Sequence, residues 1–337
     1  MRLLFVKHSL LWPRSNGHDV HTFHMMKACA ELGHEVWLAT VVPPQPPAVD
    51  GLKLAGTIRL SAPLADDNLS IDDTWFQRRF RSFWGVDEHW ILALRQAVAR
   101  ITPEAVIVAG MDALPFLVPL KNTIRVWYAA DELVWHHLSQ LTWSPSTWRR
   151  HGTNAAYRLM YERSHRKIVD RAWVVSDIDA RAMRRIAGVA TIDVLPNGVD
   201  SVFFAPGREI PRDRSAVFWG RLDFGPNIQA LEWFVSRVWP IVRQRVPDAQ
   251  FTIIGFQPTA AVKALATKPG VTLYANVRDL RGQARSHALA VLPLVSGAGI
   301  KNKLLEAAAL GLPIVGTPTA ALGLRGNPPL TIGRSSM

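Results

Sequence analysis

A single cysteine, Cys29, in a chain of 337 residues excludes an internal disulfide and suits a reducing cytoplasm. It falls in a helical stretch and reads as a small core residue. Long hydrophobic runs are absent too: nothing approaches the roughly 18 consecutive apolar residues that a membrane span needs. The apolar run at residues 1–7 is too short for a secretory leader and reads as a first strand. Acidic residues are few, 27 Asp and Glu against 39 Lys and Arg, which leaves a net charge of +12 and a pI of about 10.4. Nucleic acid, an anionic membrane or phosphate-bearing substrates could each explain that charge. No nucleic-acid motif accompanies it, so the last two are favoured. No Gly-x-Gly-x-x-Gly opens the first strand–helix turn, which argues against a dinucleotide site. The acid pairs Asp66-Asp67 and Asp72-Asp73 lie in loop-like sequence without a metal-binding context.

What is present has an ordinary globular balance, 48% hydrophobic and 20% charged, and is long enough for two domains with separate cores. Thirteen tryptophans serve either cores or a membrane interface. In the first half, strands are expected at 3–6, 35–40, 105–109 and 124–130, with a helix over 20–32 closed by Gly33. Residues 42–47 and 60–73 read as loops. Residues 77–84 mix arginines with aromatics, either as a helix with buried rings or as a patch facing a membrane or an acceptor. A long helix is expected over 148–172, its basic face solvated or laid on anionic lipid, before a strand at 173–176. Asp131 and Glu132 end the strand at 124–130, where ligands of open α/β sheets bind; a helix N-cap is the alternative for Asp131. Residues 206–214 read as a linker. The second half has strands at 216–219, 250–255 and 271–275 and a helix over 229–246.

The stretch from 288 to 315 is the most informative. A short apolar run (288–292) reads as a buried strand, breaks at Ser296-Gly297-Ala298-Gly299, and resumes as a helix over 301–310 capped by Gly311 and stopped by Pro313. Ile314-Val315 begins the next strand, completing a parallel crossover. Such a turn presents free amides at a helix N-terminus, where phosphate binds well. Glu306 lies about a turn and a half inside the helix, within reach of ribose hydroxyls. On spacing alone, a plain crossover with a solvated glutamate fits equally.

The wording of this stretch, Gly297-Ala298-Gly299-Ile300-Lys301-Asn302-Lys303-Leu304-Leu305-Glu306-Ala307, resembles the donor-sugar loop of the retaining family-four (group 1) glycosyltransferases, which have the two-domain GT-B fold. Many members carry a second glutamate eight positions earlier; here that position is Ala298. The resemblance extends to Gly33-His34-Glu35-Val36, to Val194-Leu195-Pro196-Asn197-Gly198-Val199-Asp200 and to Gly220-Arg221-Leu222. It implies that Arg221 reaches the donor diphosphate. The lysine that usually follows is replaced by Asp223-Phe224-Gly225-Pro226-Asn227, which leaves Lys301 or Lys303 to supply the second positive charge. Ser15-Asn16-Gly17 matches the family's first glycine turn. Members often read His-Asp where this chain has Ala130-Asp131, so the histidine is missing while Asp131 remains; His136 and His137 follow a turn later.

The resemblance implies an α/β chain of two Rossmann-like domains with parallel sheets facing across a cleft, an acceptor-binding domain over 1–198 and a donor-binding domain over 199–337. Members usually continue with further helices, so the second domain is expected to be short. The activity implied is transfer of a sugar from a nucleotide-diphosphate sugar to a glycan or lipid-linked hydroxyl in cell-envelope or exopolysaccharide synthesis, with retention. No cofactor and no metal is expected beyond the nucleotide sugar as co-substrate. Asp131 and Glu306 are the expected catalytic residues. Gly17, Arg221, Gly297, Ala298, Gly299, Ile300, Lys301, Lys303 and Glu306 are the expected donor-binding residues. The expected location is cytoplasmic, with peripheral contact to an anionic membrane as one option and nucleic acid excluded as a partner. A non-catalytic relative that binds a nucleotide sugar or a protein is the alternative. A different Rossmann-like enzyme, such as an epimerase or oxidoreductase, is a third reading.

Overall fold

The computed structural model describes residues 1–12, 17–61, 70–130, 134, 137–138, 141, 148–277, 279–297, 299–326 and 328–333, without the side chain of Phe83. The chain divides into two compact units, Met1–Leu138 with Arg149–Pro196, and Asn197–Met337 with Ser139–Trp148.

In the first unit, strands β1 (Arg2–Lys7), β2 (Glu35–Thr40), β3 (Gly56–Arg59), β4 (Ala105–Ala109), β5 (Ile124–Ala130), β6 (Arg171–Val174) and β7 (Ile192–Val194) form one parallel sheet in the order 3-2-1-4-5-6-7. The alternation of β1 shows why both faces are dry. Leu3 and Phe5 enter one core with Val36, Leu38 and Tyr128, and Leu4 and Val6 enter the other with Val106, Val108 and Trp127. The winding starts at β1 and reverses between β1 and β4.

The second unit repeats the plan. Strands β8 (Arg212–Arg221), β9 (Gln250–Phe256), β10 (Val271–Ala275), β11 (His287–Leu292), β12 (Ile314–Gly316) and β13 (Thr331–Ile332) pair in parallel in the order 10-9-8-11-12-13. Val217 and Trp219 face one core, with Leu304 and Ala307 of the helix Asn302–Ala309. Phe218 faces the other, with Leu231 and Phe251. The reversal falls between β8 and β11, and ligands of open α/β sheets bind beyond the strand ends at such a point.

Several expectations are corrected. The helix expected over 148–172 ends at His165, because Arg171 and Ala172 belong to β6. Asp170, in the connection, accepts bonds from the Arg125 backbone N–H at 2.8 Å and from its guanidinium at 2.8 and 3.0 Å, which ties the two strand entries together. Strand β8 begins inside the expected linker, at Arg212. The helix expected over 229–246 starts earlier, at Gly225, and is broken by a wide turn over Phe234–Val238 before Trp239–Arg245. Pro240 has no N–H to continue an α-helical ladder, and the Trp239 N–H instead reaches back to the Phe234 carbonyl. The polar end of the chain contributes β13.

The arginine–aromatic segment forms the helix Trp75–Phe83, capped by Thr74 and Gln77 in a reciprocal box. Gln77, Phe80 and Arg81 are buried, whereas Trp75 and Phe76 stay exposed beside Arg78 and Arg79, so rings and charges share one surface. Asp73 is held by Arg78 and Arg81 at 3.3 and 3.2 Å, a structural pairing. Among the described residues no helix is long and apolar enough to cross a membrane.

Candidate functional site

The reversal point of the second sheet gathers most of the expected donor residues. Strand β8 ends on Arg221, whose guanidinium binds Asp223 through two parallel bonds, Nε to Oδ1 at 3.0 Å and Nη2 to Oδ2 at 2.5 Å. This carboxylate engages the fork in the geometry in which a phosphate oxygen pair would. It raises the arginine pKa through the bonds, and the arginine in turn lowers that of Asp223. The ion pair is partly exposed, so it is open to exchange for a stronger anion.

Lys303 and Glu306 lie one turn apart on the helix Asn302–Ala309, which follows β11. The helix packs on the Trp219 face of the sheet, yet the Lys303 ammonium lies 4.2 Å from the ring centre of Phe218, which points to the other face. The missing side chain at Gly220 allows this. A Cβ there would stand 3.1 Å from Lys303 Nζ and 3.1 Å from Asn227 Nδ2, and Gly220 has φ +148°. Burial pulls the Lys303 pKa down to about 7, opposed by Glu306 and assisted by Lys301. Among the described residues no carboxylate lies within ion-pair distance of Lys303. Glu306 accepts the Trp219 indole N–H at 2.6 Å; burial raises its pKa, while the indole bond and Lys303 work against that rise.

Lys301 is used differently. Its ammonium donates to the carbonyl of Gly299 at 2.7 Å, bracing the turn before the helix. Asn197 ties the same turn from below, with Nδ2 2.8 Å from Asn302 Oδ1 and 3.4 Å from the Ile300 carbonyl. Gly297, Gly299 and Ile300 are buried, although the sequence reading wants their amides open to an anion. Arg221, Lys301, Lys303 and Glu306 are each partly exposed as residues, so the polar chemistry here rests on side chains rather than on the turn amides. Ala298 lies outside the described residues.

Gly17 belongs to the first unit, where it is the first residue of the helix Gly17–Glu31 at the reversal between β1 and β4. Five residues that sequence reasoning left without a role, Lys7, His18, Asp19, His21 and Tyr128, cluster at that point. Lys7 bonds Asp19 at 3.0 Å and His18 Nδ1 at 3.0 Å, and the His18 ring stacks on Tyr128 at 4.9 Å. Burial, then Lys7 and His21, lower the His18 pKa to about 3 against the Tyr128 carbonyl. His21 bonds the Tyr128 hydroxyl and is lowered to about 4 by burial and His24. Both rings are therefore neutral at pH 7. Asp131 and His136 lie outside the described residues; His137 pairs with His151 at 3.2 Å. The missed contributors of the second unit are Trp219 and Asn227. Their signal was position, Trp219 two residues before Arg221 and Asn227 in the segment that replaces the expected lysine.

Residues 213–326 match the family model described as Glycosyl transferases group 1. No curated protein sequence matches the chain. Among solved structures, the chain is similar to sucrose-phosphate synthase from Thermosynechococcus elongatus, with a TM-score of 0.69 at 16% identity over 96% of this chain and 82% of that one. It is also similar to HepE from Anabaena in complex with UDP and glucose, with a TM-score of 0.64 at 11% identity over 98% and 85%. A third is WaaG, a glycosyltransferase involved in lipopolysaccharide biosynthesis, with a TM-score of 0.55 at 15% identity over 94% and 81%. The fold is that of the GT-B glycosyltransferase structures, two parallel-sheet α/β domains of seven and six strands.

Proposed function

We propose that the chain is a glycosyltransferase that moves a sugar from a nucleoside-diphosphate sugar to a hydroxyl of a glycan or lipid-linked acceptor, with retention, in cell-envelope or exopolysaccharide synthesis. The observation that carries this reading is the grouping of Arg221, Lys303 and Glu306 about the C-terminal end of β8, at the reversal point of a Rossmann-ordered sheet, with Lys303 joined through Asn227 to the Arg221 backbone and Glu306 joined to Trp219. The family match over residues 213–326 covers that site, and a structural neighbour was solved with UDP and glucose.

In this reading the diphosphate replaces Asp223 on the Arg221 fork and neutralises Lys303. Both cations then stabilise the negative charge that grows on the leaving diphosphate as the sugar–oxygen bond breaks. Glu306, oriented by the Trp219 indole, accepts from the ribose hydroxyls. Asp131 is assigned the contact with the transferred sugar and the acceptor from its place in the sequence alone. Gly17 and residues 297–300 are assigned donor contacts from their place in the sequence alone. No metal is required, because two side-chain cations meet the diphosphate charge. The acceptor-binding domain is assigned to 1–198 and the donor-binding domain to 199–337. We assign the exposed Trp75, Phe76, Arg78 and Arg79 to an anionic membrane surface, and the enzyme to its cytoplasmic face.

A second reading, a nucleotide-sugar binder without turnover, is favoured by the burial of Gly297, Gly299 and Ile300. A panel of UDP- and GDP-sugars separates the two. Release of nucleoside diphosphate, with or without acceptor, is the expected result; tight binding with no release supports the second reading.

A further inference from the structure

We propose that Asn227 is a positioning residue that holds Lys303 at the end of β8, so that Lys303 rather than Lys301 is the second cation for a diphosphate. This rests on the reading that the second unit binds a nucleoside diphosphate, and it explains how the chain manages without a lysine in the segment after Arg221.

The Asn227 amide is fixed at both ends. Its Nδ2 donates to the Arg221 carbonyl at 2.7 Å, and its Oδ1 accepts from Lys303 Nζ at 2.6 Å. The opposite rotamer would set the amide N–H groups against the ammonium, so these two bonds determine the orientation. Asn227 is only 6% exposed, and its backbone N–H bonds the Phe224 carbonyl at 2.9 Å, so the residue is locked by its turn as well. One side chain thereby links the arginine's own backbone to the lysine's charge.

The ammonium has three donors. One goes to Asn227, and the face of Phe218 takes the side of the group turned toward the core. The groups that face it with charge are Glu306, which attracts it, and Lys301, which repels it. Buried charges are normally paired. An ammonium with a neutral amide, an aromatic face and, among the described residues, no carboxylate in ion-pair contact is arranged for an anion supplied from outside. Lys301 is engaged elsewhere, bracing the turn through its bond to the carbonyl of Gly299 at 2.7 Å.

The test is calorimetric titration of the full chain with UDP, GDP and inorganic pyrophosphate at pH 8, in buffers of different ionisation enthalpy, so that affinity and proton uptake are both read. Wild-type protein should bind a nucleoside diphosphate and take up a substantial fraction of a proton as Lys303 becomes charged. Asn227→Ala should weaken binding about tenfold and alter the proton uptake, with the melting curve of the folded protein retained. Asn227→Asp should remove most of the uptake by charging Lys303 beforehand, a change that a merely structural role would not produce. Lys303→Met should abolish uptake, whereas Lys301→Met should leave it. Wild-type-like affinity and uptake in Asn227→Ala overturn the positioning role while nucleotide binding stands. Failure of the wild type to bind any of the three probes overturns both this proposal and the functional reading beneath it.

Discussion

Replacing Lys303 by methionine should make the ligand-free protein more stable at pH 6, although it removes a hydrogen bond and a ring contact. The lysine titrates near 7 in the fold against 10.5 as its ordinary value, because burial disfavours the charged form. The unfolded chain therefore holds a proton that the folded one releases between pH 7 and 10.5. Stability rises with pH through that window, and the cost of the charged lysine is fully present below it. Taken whole, the shift corresponds to about 5 kcal/mol. Lys303 keeps some accessible surface, and relaxation around a real charge lowers the cost, so about 2–3 kcal/mol is the working figure. Against it stand the lost contact with Phe218 and the bond to Asn227, about 1 kcal/mol together. A net gain of about 1–2 kcal/mol at pH 6 follows, shrinking as the pH rises and reversing by pH 10. Denaturant unfolding of both proteins at pH 6, 7.5, 9 and 10 measures the gap, and groups common to both cancel in the difference. A gap that does not change with pH, or a variant less stable at pH 6, refutes the reasoning.

Other outcomes follow from the same geometry. Asp223→Asn should free the Arg221 fork and tighten nucleoside-diphosphate binding severalfold, read by titration, whereas Arg221→Gln should weaken it by about tenfold to a hundredfold. Trp219→Phe should leave Glu306 without its 2.6 Å donor and cost about 1–3 kcal/mol of stability along with a higher donor KM. Gly255→Ala should destabilise the second unit by several kcal/mol in urea, because its Cβ would stand 1.9 Å from the Gly220 carbonyl oxygen across the β8–β9 pair. Transfer should persist in excess EDTA; loss of activity restored by a divalent cation would contradict the two-cation account.

Much of the fold was legible because several strands are short runs of apolar and β-branched residues. Residues 105–109, 124–130 and 271–275 coincide with β4, β5 and β10. The misses have local causes. The basic helix was carried seven residues past its end because Arg171 and Ala172 continue its pattern, while only Asp170 meeting Arg125 at a distance of 45 residues marks the strand entry. The turn at Phe234–Val238 is set by Pro240, a signal that was present but read as part of a continuous helix.

The site was legible as types and positions, not as contacts. The motif text named Arg221, Lys303 and Glu306, and the structure puts them at one strand-end cluster. It could not choose between Lys301 and Lys303, because that depends on which ammonium the glycine at 220 lets through and which one Gly299 captures. Nor could it show that Asp223 occupies the arginine fork in the ligand-free protein, or that the turn amides are buried.

A structure with UDP or a UDP-sugar bound tests the central claim most directly. The account predicts diphosphate oxygens on the Arg221 guanidinium and Lys303 Nζ, Asp223 turned away, and ribose hydroxyls on Glu306. A nucleotide bound elsewhere, with the Arg221–Asp223 pair intact and Lys303 untouched, would contradict it.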